Sequence, residues 1–202
     1  MNTLNLTQIN AAVDAAFATA LATWNAHALD ATQPALQHSA VQTIGDGVTL
    51  RTDVYTGPRG AGFAIFATLT IGKRTLTACK QHGPETGRER ALTRDAVLAA
   101  LEADYAATLS AGITVAGITL AAEANDQAKF SQLMTLLREA EEQCPDDGAK
   151  AAFRESATTI VDIRDAVHSM SVAGARALIV QYGTALNVMW TAFAQRREAL
   201  MV

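Results

Sequence analysis

The sequence predicts an α+β protein: an N-terminal helix, an antiparallel β-meander and a helix, followed by a C-terminal unit of short β-hairpins and two longer helices. Three observations carry that expectation. Leu6, Ile9, Val13, Phe17, Leu21, Trp24 and Ala28 fall on one helical stripe. From Val41 onward the apolar period changes from 3.6 to 2, the spacing of strands. Near the end of the chain, Val172, Ala175, Ile179, Tyr182, Leu186, Met189, Phe193 and Leu200 are separated by gaps of three, four, three, four, three, four and seven, the a/d spacing of a packed helical seam.

The first helix has Thr7 as its expected N-cap, and Asn10, Asp14 and Asn25 lie away from its stripe. Alanine over its other faces favours helix and lets neighbours approach closely, within the domain or from a second copy. Thr32, Pro34 and Ser39 end the helical pattern, Val41 to Ile44 begin the β pattern, and Gly45-Asp46-Gly47 makes a turn. Val48, Leu50, Thr52 and Val54 then share one strand face, with Thr49, Arg51 and Asp53 on the other. The glycine-rich turn Gly57-Pro58-Arg59-Gly60-Ala61-Gly62 follows. Phe63, Ile65, Ala67, Leu69 and Ile71 alternate with Ala64, Phe66, Thr68 and Thr70 along the next strand. Gly72-Lys73 fits a two-residue hairpin turn, and Arg74 to Gln81 closes the meander. His82-Gly83-Pro84-Glu85-Thr86-Gly87 ends the sheet, because proline cannot donate to a ladder. Thr93 then caps a helix whose stripe is Val97, Leu98, Leu101, Tyr105 and Leu109.

Gly112 marks a break, dividing an α+β domain over residues 1–111 from a helical domain with short hairpins over residues 112–202. Ile113-Thr114-Val115, Ala116-Gly117 and Ile118-Thr119-Leu120 read as a very short hairpin. A helix follows from about Asn125 to Gln143, with Phe130, Leu133, Leu137 and Ala140 inward, and Cys144 to Gly148 ends it. Thr158 to Ile163 and Val167 to Met170 form a second β pair around Arg164-Asp165, and Ser171 is the expected N-cap of the final helix. Arg196 occupies a seam slot where the helix is about to end, a place that suits a cation. Gly174 and Gly183 each cost the final helix roughly 1 kcal/mol relative to alanine, which implies close packing against something. This helix and the one from Asn125 are expected to pair antiparallel, leaving Trp190 and Leu178 at the flanks for partner contact.

The composition bounds the function. At 202 residues and 50% apolar content the chain builds a real core. A net charge of −4 and a pI near 5.5 argue against binding nucleic acid through bulk charge. Cys79 and Cys144 stand far apart in no C-x-x-C pair, which argues against a disulfide framework or a zinc site and for two idle thiols in a reducing compartment. Met1 to Asn10 has no basic n-region followed by an apolar run, and no segment reaches the roughly 20 apolar residues of a membrane span. A soluble protein made in a cytoplasm is expected, with no membrane and no nucleic-acid partner.

No nucleophile elbow, phosphate loop, metalloprotease helix or dinucleotide fingerprint appears. Gly57 to Gly62 leads into a strand, so it lacks the helix N-terminus that holds phosphate. His27, His38, His82 and His168 do not converge at metal-ligand spacing and read as solvated or structural. A nuclease of the acidic-strand type would use Asp53 and Lys73, but Ile71 stands where its second carboxylate belongs. The order of helix, strands and helix resembles double-stranded RNA-binding domains, yet the loop that should be basic holds Pro84, Glu85 and Thr86. Arg88, Arg90, Arg94, Lys73, Arg74 and Lys80 make a modest basic cluster that reads as a solvated face. Tyr182, Trp190 and Phe193 have helical spacing, which makes them core or interface rather than a ligand cage. No catalytic residue, cofactor or metal is assigned. The candidate partner contacts are Leu178, Tyr182, Trp190 and Phe193.

From Gly112 onward, the run Ile113 to Leu120, then Asn125-Asp126-Gln127-Ala128-Lys129-Phe130, then Thr158 to Ile163, and finally Ala192-Phe193-Ala194-Gln195-Arg196-Arg197-Glu198-Ala199-Leu200 resembles a bacteriophage domain of unknown function. That domain occurs in tail-fibre, tail-fibre-assembly and baseplate-associated proteins of tailed phages. The resemblance covers roughly the C-terminal half, and Phe153-Arg154-Glu155-Ser156 stands where the family carries an aromatic-rich strand. Arg51-Thr52-Asp53, Gly57 to Gly60 and His82 to Thr86 are also similar to stretches of uncharacterised phage and prophage proteins. The resemblance implies a structural protein of the virion tail, in the baseplate or fibre-attachment region, assembled in the host cytoplasm. Its partners would be other tail proteins or the tail fibre, and a homo-oligomer is left open. The rivals are a tail-fibre assembly chaperone that does not stay in the virion and an enzyme such as a nuclease.

Overall fold

A computed structural model of the chain describes residues 4–27, 40–45, 47–55, 62–83 and 89–201. The expected class is observed: an N-terminal helix, a four-stranded antiparallel sheet and a helix precede short hairpins and further helices. The chain divides into two compact units. Unit 1 comprises Met1–Asp104 and Gln195–Val202, and unit 2 comprises Tyr105–Ala194. The glycine-rich turn at 57–61, His38, and the loop at 84–88 with Arg88 lie outside the described residues.

In unit 1, α1 (Leu6–His27) starts with a reciprocal cap. Asn5 Oδ1 accepts from the Gln8 amide at 2.8 Å, and Gln8 Oε1 accepts from the Asn5 amide at 2.9 Å. The cap is therefore Asn5 and not Thr7, because the side chain that closes the first turn belongs one residue before helical backbone begins. The sheet runs β1 (Ala40–Gly45), β2 (Val48–Tyr55), β3 (Gly62–Ile71) and β4 (Arg74–His82) in sequence order. Period-2 alternation sets its register: Leu50 pairs with Ala67, and Ala67 with Ala78.

The buried residues of β3 explain why α1 packs here. Phe63, Ile65, Ala67, Leu69 and Ile71 are all at most 1% exposed. Against Phe63 lie the rings of Phe17, Trp24 and His82, with centroids 5.4, 5.8 and 5.5 Å away. Lys80 bridges the same helix and strand, with Nζ 2.7 Å from Asp14 Oδ1 and above the Phe17 ring. The β3–β4 turn uses Gly72 at φ +55°, and a Cβ there would collide with the Asp104 carboxylate of α2 (Arg94–Ala111). Thr93 caps α2 as expected, through Oγ1 to the Ala96 amide at 3.3 Å. Asn10 exchanges both side-chain bonds with the Leu92 backbone, each at 3.1 Å. Arg196, in the expected seam slot near the chain's end, donates to the Thr70 carbonyl at 3.2 Å, and Leu200 is 3% exposed.

Unit 2 begins with the hairpin β5 (Ile113–Val115) and β6 (Ile118–Leu120), turning on Ala116 at φ +49° and Gly117 at φ +79°. Then follow α3 (Ala124–Glu142), α4 (Asp147–Glu155), the hairpin β7 (Ala157–Val161) and β8 (Val167–Ser171), and α5 (Val172–Met201), whose last turns belong to unit 1. The helix α4 covers a stretch for which the apolar pattern set no element. Asp146 Oδ1 accepts from the Ala149 amide at 2.8 Å and starts it, so Phe153-Arg154-Glu155 ends a helix and is no counterpart of an aromatic strand. Ala140, expected inward on α3, is exposed, while Leu137 is buried as expected. The β7–β8 turn is organised by Asp162: its Oδ1 accepts from the Arg164 and Ala166 amides at 2.8 and 2.9 Å.

Candidate functional site

The expected contact residues all sit on α5. Ser171 caps it, with Oγ accepting from the Gly174 amide at 3.1 Å. The seam then faces inward: Val172, Ala175, Ile179 and Tyr182 are at most 7% exposed. Ile113, Leu120, Ala122, Ile160 and Leu178 complete that core, and Leu186 and Met189 pack against it.

Two of the four candidate contacts are therefore core residues. Leu178 is 4% exposed and Tyr182 is 2% exposed. The Tyr182 hydroxyl donates to the Ala121 carbonyl at 2.9 Å, and its ring lies 5.1 Å from that of Phe130. Burial, with a lesser contribution from the Asp126 charge, pushes the Tyr182 pKa up to about 12. Tyr182 belongs to the a/d seam, and a/d spacing reports that a face is covered without saying by what.

The other two candidates form a surface cluster. Phe193 stacks on Tyr105 at 4.6 Å, and Trp190 meets Tyr105 edge-on at 5.8 Å while remaining 50% exposed. Of the two glycines in α5, a Cβ at Gly174 would meet Ser171 Oγ at 3.3 Å, whereas Gly183 has nothing within 4 Å. The close packing expected at Gly183 is thus not supplied by the described residues.

An ionic clamp holds α5 to α3 and was invisible in the sequence. Arg176 donates from Nη1 to Glu141 Oε2 and from Nη2 to the Leu137 carbonyl. Arg154 of α4 donates from Nε to Glu141 Oε1 at 2.6 Å. The Arg176 bond first, and the Arg154 bond second, hold the Glu141 carboxyl below its ordinary value. Since Phe130 meets Tyr182 and Glu141 meets Arg176, α3 and α5 run antiparallel, as expected.

The residues weighed for chemistry are dispersed. Asp53 pairs with Arg51 at 3.0 Å and is in register with Ala64, whereas Lys73 lies in the turn beyond Ile71. Seven residues of β3 separate the two, roughly 23 Å of strand. His168 Nε2 lies 3.0 Å from Asp162 Oδ2, and His82 packs on Trp24 and Phe63. Cys79 is buried and Cys144 half-buried; both remain thiols. A cleft of about 280 Å³ beside β4 is lined by Asn10, Asp14, Cys79, Lys80, Glu89 and Arg90 among others, but its Asp14 and Lys80 are paired with each other. Among the described residues, no group of His, Cys, Asp and Glu is placed to hold a metal ion, and no helix is long and apolar enough to cross a membrane.

No protein-family model, curated protein or solved structure matches the chain.

Proposed function

We propose that the protein is a structural component of a bacteriophage tail, in the baseplate or fibre-attachment region, acting through protein–protein contacts. The observation that carries the contact role is the outer face of the β7–β8 hairpin. Val161 and Val167 are directly paired across the strands, yet are 50% and 66% exposed, and Ile163 beyond them is 37% exposed. The remainder of that face is Ala157, Thr159, Ser169 and Ser171, without a charge. Exposed apolar groups on a strand face without a charge are suited to covering by another protein. The tail setting rests on the resemblance of residues 112–202, whose quoted segments fall on the β5–β6 hairpin, the opening of α3, the β7–β8 hairpin and the end of α5.

Quantitative mass spectrometry of purified particles, from cells expressing the protein, tests this reading. Stoichiometric presence in the tail supports it. Absence from particles despite expression sinks it and leaves the assembly-chaperone alternative.

A further inference from the structure

We draw no further inference here: the strongest candidate, the exposed stripe of α5 that carries Val180, Thr184 and Val188 without a charge, has nothing in the structure to show what covers it.

Discussion

Arg176 and Glu141, thirty-five residues apart, are hydrogen-bonded to each other, and that pair with Arg154 joins α5, α3 and α4. Because the folded-state pKa of Glu141 lies below its ordinary 4.5, the clamp stabilises the fold fully above that pH and loses its effect as pH falls through the depressed value. Thermal unfolding followed between pH 7 and 2 should therefore show a midpoint that drops below pH ~4.5. Glu141→Gln should lower the midpoint at neutral pH and flatten the acid limb; an acid limb identical to wild type would show that the clamp carries no pH dependence.

Tyr182 makes the opposite prediction at the alkaline end. Its folded pKa of about 12 exceeds the ordinary 10, so its contribution is intact below pH 10 and declines as pH rises towards 12. Ultraviolet titration should show Tyr182 ionising well above pH 10. Tyr182→Phe, which leaves the Ala121 carbonyl without its donor, should cost about 1–3 kcal/mol in urea unfolding.

Ala116 holds a left-handed backbone at φ +49° in the β5–β6 turn, where an L side chain with a Cβ is strained. Ala116→Asn or Ala116→Gly should raise stability by about 1 kcal/mol, read from the urea midpoint at constant m-value. Destabilisation by either would show that the turn is not held in that conformation in solution.

Gln81 of β4 is 8% exposed, and neither end of its amide has a hydrogen-bond partner among the described residues. Replacing an unsatisfied buried amide by an apolar chain of similar length removes a desolvation penalty. Gln81→Met should stabilise the protein by about 1–3 kcal/mol, and a loss of that size would mean the amide is satisfied in solution.

Periodicity made the sheet, its order and the seam legible, because alternation at 2 or 3.6 reports which side chains are buried. It identified Ser171 and Thr93 as caps, since each directly precedes a helical stripe. It missed Asp146, because Asp146-Asp147-Gly148 reads equally well as the end of α3 and the helix it starts is only nine residues long. Whether Tyr182 meets its own core or a partner is not legible either, since burial pattern alone does not tell a core from an interface, and Leu178 stands outside the a/d slots although it is buried. The Glu141 clamp was out of reach, since charge pairs that are distant in sequence have no period.

Unit 1 is completed by the residues that follow unit 2 in the chain, with Arg196 bonded to Thr70 across 126 positions and Leu200 buried. On the ribosome, translation proceeds at about 5–20 residues per second, so the sheet waits several seconds for the helix turns that finish it. Its closing step also brings together ends separated by most of the polypeptide, the slowest kind of contact to form. Unit 2, by contrast, is continuous and is synthesised in full before that closure. Unit 2 is therefore complete before unit 1 is, and the turns from Gln195 onward are the ones that let the sheet settle.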